Sequence, residues 1–130
     1  MAYSNLNSIQ QPSILESQLE IYQLNCNGLR GKVSELKIHV YTRKPDIVCL
    51  CETWLNKNEP KFLGYQTSWL HRLGEKGGLG ILIREDVRFQ HKQVVPFPSG
   101  FLECQLVEIF TKSDSINIWN VYNSCKSISL

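Results

Sequence analysis

Short apolar blocks separated by polar turns run through most of the chain and predict its secondary structure. The first block, from about Leu19 to Asn25, predicts a strand that ends on a polar residue. Apolar residues then recur at helical spacing, which predicts an amphipathic helix over residues 32–43, stopped by Pro45. The next block, Ile47 to Cys51, is apolar at every position. A strand without alternation is buried on both faces, so we expect it at the centre of a sheet that is covered on both sides.

The rest of the chain is predicted to be mostly β. The predicted strands cover Tyr65–Leu70, Gly80–Arg84, Phe101–Phe110 and Ile116–Tyr122, with a short extended piece at Val94–Pro98. Turn residues at Gly77-Gly78 and over residues 111–115 each predict a hairpin. One helix between two strands, followed by further strands, predicts an α/β fold.

Composition limits the class of protein. The 130 residues are 42% hydrophobic and 20% charged, which is typical of a globular domain that can bury a core. The net charge of +2 is too small to indicate nucleic-acid binding by itself. Five cysteines without a C-x-x-C pair favour a reduced, intracellular protein, and no apolar stretch has the length of a membrane span. Residues 1–17 are polar and predicted to be disordered, so the domain is predicted to begin at residue 18.

Two polar residues that close apolar strands are the first candidates for chemistry. Glu52 follows the fully apolar block, and the carboxyl end of a central strand is where α/β sheets place ligands. Burying this carboxylate unpaired would cost roughly several kcal/mol, so a cation, a basic side chain or bulk water should compensate it. Asn25 closes the first strand, where its amide can ligate a metal, orient a phosphate or cap the next turn. Asn27, before Gly28, is typical of a turn.

The last predicted strand carries Asn120 and Tyr122 on one face. A tyrosine hydroxyl beside an amide can donate to a phosphoryl oxygen, although a tyrosine packed in the core with a satisfied hydroxyl is the commoner case. Trp54, Trp69 and Arg72 could contact nucleic acid by stacking and phosphate pairing, and ordinary packing explains the tryptophans equally well.

Four motifs, in this order along the chain, resemble the endonuclease/exonuclease/phosphatase superfamily. They are N25-C-N27-G-L29-R30, D46-I-V-C-L-C-E52-T-W54-L, G77-G-L-G-I-L-I-R84 and N120-V-Y122-N. Within the superfamily they are most similar to the apurinic-type endonuclease domain at the N-terminus of non-LTR (LINE-type) retrotransposon proteins. The resemblance covers about residues 19–123.

The resemblance implies a four-layer α/β sandwich of the exonuclease III and deoxyribonuclease I type, in which two sheets lie between helical layers. It also implies hydrolysis of phosphodiester bonds in DNA with Mg²⁺ or Mn²⁺, and a nuclear location. Carried over by position, Glu52 would ligate the metal, and Asn25 would bind near the metal and the scissile phosphate. Tyr122 would be the active-site tyrosine, and Asn27 and Asn120 would contact substrate.

Later motifs of the superfamily have no counterpart in this sequence. An Asp-x-Asn segment and a terminal Ser-Asp-His are absent, and Tyr122 is followed by Asn where the family has Pro. Hydrolysis needs a base for the attacking water, so we expect residues 18–130 to be the N-terminal half of such a domain, with a weak metal half-site and no activity alone. We also expect this half to supply mainly the first sheet and its helix, leaving an unpaired sheet face through which the chain could self-associate.

Two other functions stay open. A phosphatase or nuclease of the same superfamily could act on lipid or small nucleotide phosphates. Alternatively, the chain could be a non-catalytic module that binds nucleic acid or protein, and its modest charge would then give weak, salt-sensitive binding to DNA.

Overall fold

The computed structural model describes residues 18–72, 76–94 and 102–123, which form two β-sheets and a helix. In chain order the elements are β1 (Ile21–Asn25), a 3₁₀ turn (Arg30–Lys32), α1 (Val33–Arg43), β2 (Ile47–Cys51), β3 (Tyr65–Leu70), β4 (Leu79–Arg84), β5 (Phe89–Lys92), β6 (Leu102–Phe110) and β7 (Ser115–Asn123). The segment predicted to be disordered, 1–17, and part of the predicted extended piece at Val94–Pro98 lie outside the described residues.

The first sheet has the strand order β1-β2-β4-β3. β1 and β2 run parallel, β4 is antiparallel to β2, and β3 and β4 pair as the predicted hairpin. β2 lies between β1 and β4 and is buried at all five positions. The prediction of a central strand is confirmed, and helix α1 forms the crossover between the parallel strands β1 and β2.

Helix α1 covers one face of this sheet. Its buried residues Leu36 and Val40 pack into a cluster with alternate positions of the central strands, which are Val48, Leu50 and Leu82. The helix ends at Arg43, and Lys44 takes a left-handed conformation with φ of 50° before Pro45. Proline therefore ends the helix where the sequence predicts.

The second sheet, of order β5-β6-β7, covers the opposite face of the first. Ile47, Cys49, Ile81 and Ile83 from the first sheet share one apolar cluster with Val107 and Ile109 from β6. The α/β class is confirmed, but the expectation that the inner face of the first sheet lacks a partner is wrong. The described residues already contain strands of both sheets, and the alternate apolar side chains of β6 fill the space between them.

Two elements of the fold are not predicted by the sequence pattern. These are the 3₁₀ turn before α1 and β5, an edge strand that pairs with β6. In the part of the chain that the structure describes, no helix has the length and apolar character needed to cross a membrane.

Candidate active site

The ends of β1 and β2 bring Asn25 and Glu52 into contact. The two strands are parallel neighbours, and Asn25 lies opposite Cys51, the residue before Glu52. The side-chain nitrogen Nδ2 of Asn25 donates a hydrogen bond of 3.0 Å to Oε2 of Glu52. The two polar residues that close apolar strands in the sequence therefore meet at the carboxyl edge of the sheet.

The backbone turns sharply at Glu52 and fixes the direction of its side chain. Glu52 and Trp54 both have left-handed conformations, with φ of 53° and 56°. The Gly28 N–H donates to the Glu52 carbonyl at 2.9 Å, and the Trp54 N–H donates to the Gly77 carbonyl at 2.8 Å. A left-handed conformation costs a non-glycine residue about 1–2 kcal/mol, so these contacts are needed to stabilise the turn.

Three side-chain donors surround the Glu52 carboxylate. Besides Asn25, the Tyr122 hydroxyl donates to it, and the Trp54 indole nitrogen donates to Oε1 at 3.4 Å. The hydrogen bond from Asn25, followed by that from Tyr122, holds the pKa of Glu52 below its ordinary value; Trp54 and the charge of Lys76 act in the same direction, and partial burial opposes them. The carboxylate is therefore ionised at neutral pH, the form that binds a cation.

Tyr122 reaches this carboxylate from the second sheet, because β7 packs against the edge where β2 ends. The hydrogen bond to Glu52 raises the pKa of Tyr122 to about 12. Its hydroxyl is consequently protonated at neutral pH and available as a donor. The structure thus gathers Asn25, Glu52 and Tyr122 around one point from three different strands.

The turn after β1 orients Asn25. Asn27 has a φ of 47°, and its backbone N–H donates to Oδ1 of Asn25 at 3.0 Å, which leaves the Asn25 nitrogen facing Glu52. The Lys32 ammonium donates to the carbonyls of Cys26 at 2.7 Å and Asn27 at 3.3 Å. The Asn27 side chain is exposed beside the site. Metal ligation by Asn25 and substrate contact by Asn27 stay predictions.

Asn120 lies between the sheets and not at the surface around Glu52. Its side chain is 2% exposed. Nδ2 faces three acceptors: the carbonyl of Leu50 at 3.0 Å, the carbonyl of Gly80 at 3.2 Å and Oε1 of Gln105 at 3.2 Å. These contacts join β7 to β2 and β4 beneath the site. The predicted contact of Asn120 with substrate stays a prediction that this burial does not favour.

Glu103 is a second carboxylate near the site, and it lies outside the four sequence motifs. It lies opposite Tyr122 in the β6–β7 pairing and is 8% exposed. Oε1 accepts the Gly78 N–H at 2.9 Å, and Oε2 lies 3.5 Å from Nη1 of Arg72. Glu103 is one of three polar residues in β6, together with Gln105 and Glu108, so the strand pattern alone does not mark it.

An aromatic ring and a cation lie beside the carboxylate. The Lys76 ammonium is 4.6 Å from the centre of the Trp54 ring, within the range of a cation–π contact. Lys76 is exposed, and its charge acts on Glu52. This edge of the molecule therefore places a positive charge next to an ionised carboxylate.

The architecture matches several solved structures at low sequence identity. The endonuclease domain of TRAS1, a telomere-specific non-LTR retrotransposon, is 20% identical with a TM-score of 0.55, over 79% of this chain and 45% of that domain. The AP endonuclease LMAP from Leishmania major is 18% identical with a TM-score of 0.58, over 88% of this chain and 44% of that one. A humanized TDP2 from D. rerio is 20% identical with a TM-score of 0.59, over 78% of this chain and 45% of that one.

The chain has part of the exonuclease III/deoxyribonuclease I-like fold. This is the fold that the four sequence motifs imply. The chain spans less than half the length of these solved structures. No protein-family model matches the sequence, and a search of curated proteins gives no match. Identities near 20% show the fold alone, and the chemistry of the site depends on its own side chains.

Proposed function

We propose that this chain carries the metal- and phosphate-binding part of the active site of a DNA endonuclease of the non-LTR retrotransposon type. The observation that carries the proposal is the Glu52 carboxylate, ionised and held by Asn25 and Tyr122 at the carboxyl edge of the sheet. The order of the four motifs and the fold shared with the TRAS1 endonuclease domain support the same assignment.

The Glu52 site fits a hard divalent cation such as Mg²⁺ or Mn²⁺. A carboxylate has roughly four lone-pair positions, and the three donors around Glu52 leave room for a cation. Mg²⁺ is usually bound by one or two carboxylates together with waters and substrate phosphate oxygens. Among the residues described here, no group of three or more His, Cys, Asp or Glu side chains could hold a metal ion. The fit is therefore to a weakly bound metal whose remaining ligands come from water and substrate.

Each side chain at the site has a separate role in this proposal. Glu52 would hold the metal, which when bound would neutralise charge on the scissile phosphate. Asn25 orients the carboxylate through its 3.0 Å hydrogen bond, and the protonated Tyr122 hydroxyl can donate to a phosphoryl oxygen. Lys76, which lies over the Trp54 ring, adds a positive charge that attracts the anionic DNA backbone.

We further infer that these 130 residues bind metal and phosphate without hydrolysing DNA. Hydrolysis needs a base that activates water, and the sequence has neither an Asp-x-Asn segment nor a histidine after Tyr122. The described donors around Glu52 are an amide, an indole and a protonated phenol, none of which is a base at neutral pH.

Titration with Mn²⁺, followed by electron paramagnetic resonance, tests the metal site. Glu52→Gln keeps the shape of the side chain but removes its charge, and we expect the affinity to fall by at least the roughly 10–100-fold that is typical when a residue supporting a metal is lost. Glu85→Gln is the matched control, because Glu85 is exposed beyond the opposite end of β4. Equal affinities for the two variants would refute the assignment of Glu52.

A nicking assay tests the absence of hydrolysis. The purified chain is incubated with supercoiled plasmid and Mg²⁺, and we expect the plasmid to remain supercoiled. Nicking that disappears in Glu52→Ala would contradict the inferred inactivity while supporting the endonuclease assignment. Nicking that persists in Glu52→Ala would come from another source.

Competition binding tests the choice of DNA. A labelled DNA duplex should bind with an affinity that falls steeply as salt is raised, since phosphate contacts release counterions. Unlabelled duplex should displace it, whereas lipid vesicles and inositol phosphates should not. Displacement by either of the latter at lower concentration than duplex DNA would favour a phosphatase of the same fold.

A further inference from the structure

We propose that Glu103 is a positioning residue, which holds the turn that presents Glu52 to metal and substrate. The inference rests on the proposed function of Glu52 and deepens it. Glu103 does not touch the Glu52 carboxylate in any described contact, so it would act through the backbone that lies between them. Three successive sets of contacts carry this argument.

The first set ties Glu103 to the Gly77–Gly78 segment. Glu103 accepts the Gly78 N–H at 2.9 Å and lies 3.5 Å from the guanidinium of Arg72. A carboxylate that is 8% exposed would be costly to leave without such partners. A Cβ added to Gly77 would lie 2.5 Å from Oε2 of Glu103, so the segment packs against this carboxylate with no space to spare.

The second set ties that segment to the turn after β2. The Thr53 N–H donates to the Gly78 carbonyl at 3.2 Å, and the Trp54 N–H donates to the Gly77 carbonyl at 2.8 Å. These bonds flank Glu52 and Trp54, whose left-handed conformations need stabilising contacts. Displacing Gly77 and Gly78 would therefore release the turn and change where the Glu52 carboxylate points.

The third contact is between strands. Glu103 on β6 lies directly opposite Tyr122 on β7, and Tyr122 donates to Glu52. Glu103 thus binds the Gly77–Gly78 segment on one side of Glu52 and lies beside Tyr122, the donor on the other side. An ordinary surface ion pair would do neither, because it would be exposed to solvent and would add little to stability.

Two uncharged variants separate positioning from charge. Glu103→Gln keeps an oxygen that can accept the Gly78 N–H, while Glu103→Met has nearly the same length and no comparable acceptor. Both remove the charge and the pairing with Arg72. We expect Glu103→Met to bind Mn²⁺ about tenfold or more weakly than Glu103→Gln, the scale seen for residues that orient metal ligands. Glu108→Gln is the control, because Glu108 is on the same strand and pairs with Ser115 and Lys92 instead.

A second readout follows the hydrogen bonds on Glu52 without metal. The NMR signals of the Trp54 indole N–H and the Asn25 side-chain amide, both donors to Glu52, should move in Glu103→Met and stay near wild type in Glu108→Gln. Equal Mn²⁺ affinities for the Gln and Met variants, or unmoved signals in Glu103→Met, would overturn the proposal. If the wild-type chain binds no Mn²⁺, the proposed metal site fails, and these signals alone decide the role of Glu103.

A shorter acidic side chain keeps the test decisive if Glu103→Met does not fold. Glu103→Asp retains the charge but is one methylene too short to keep the 2.9 Å bond to Gly78 in place. Positioning predicts that Glu103→Asp binds Mn²⁺ more weakly than Glu103→Gln, although it carries the more favourable charge. The reverse order would show that Glu103 acts by charge alone.

Discussion

Replacing Asn120 with alanine tests whether its buried side chain acts as a clamp, that is, whether its hydrogen bonds hold the two sheets together beneath the candidate site. Its amide nitrogen carries two hydrogens that are shared among three acceptors at 3.0–3.2 Å. Two net hydrogen bonds contribute about 1–3 kcal/mol together, and acceptors left buried without a donor add a further penalty. We therefore expect Asn120→Ala to lower the free energy of unfolding by about 2–4 kcal/mol, a large share of the roughly 5–15 kcal/mol that stabilises a typical protein.

Equilibrium unfolding in urea measures this change. With a slope near 1–2 kcal/mol per molar urea, the expected loss moves the unfolding midpoint down by about 1–4 M. Asn117→Ala is the matched control, since Asn117 is an exposed asparagine on the same strand. An exposed substitution of this kind should change stability by less than about 0.5 kcal/mol.

The alternative role of Asn120, contact with substrate, predicts a different result. A substrate-binding side chain would cost little stability when truncated and would weaken the binding of a DNA duplex. A loss of stability no larger than that of Asn117→Ala would refute the clamp, and reduced DNA affinity in a fully stable Asn120→Ala would favour substrate contact.

Three further predictions concern the surroundings of Glu52 and the β3–β4 hairpin. Because the folded-state pKa of Glu52 is lowered, its stabilisation is present above the unfolded pKa near 4.5 and lost as the pH falls through the folded value. The difference in stability between wild type and Glu52→Gln, measured in urea, should therefore shrink from pH 7 to pH 3. Tyr122 should titrate near pH 12 by ring-carbon NMR, and nearer 10 in Glu52→Gln. Gly80→Ala should destabilise by about 1–3 kcal/mol in urea, because its Cβ would lie 2.5 Å from the Trp69 ring.

The parts of the fold that the sequence predicts well are those where burial alone sets the pattern. Ile47–Cys51 is apolar throughout because α1 covers one face of β2 and the second sheet covers the other. Parallel pairing of β1 with β2 follows from the intervening helix, and it places Asn25 next to Glu52. Tyr122 joins them only through tertiary packing, and its place at the site rests on a motif and not on periodicity.

The hydrophobic pattern does not predict elements or contacts that depend on a partner far away in the sequence. β5 has the sequence F-Q-H-K, with one large apolar residue, and it is a strand because its backbone pairs with β6. Glu103 resembles a solvent-facing residue in an alternating strand, since its hydrogen-bond partner Gly78 is 25 residues away. Asn120 is similar, because the carbonyls that it joins belong to strands 70 and 40 residues earlier in the chain. These hydrogen bonds form only when the two sheets pack together, so the local sequence does not indicate them.

Backbone strain around Glu52 gives an independent reason to place function there. Among the described residues, five non-glycine positions have positive φ. Three of them are Glu52 itself and Asn27 and Trp54, which lie next to it at the candidate site. Each such conformation costs about 1–3 kcal/mol, and strained residues persist where the surrounding structure over-determines them. Here the surrounding contacts are the backbone bonds to Gly28, Gly77 and the anchored Gly78, together with the amide of Asn25. These contacts hold the Glu52 carboxylate at the sheet edge in a conformation that an unsupported turn would not keep.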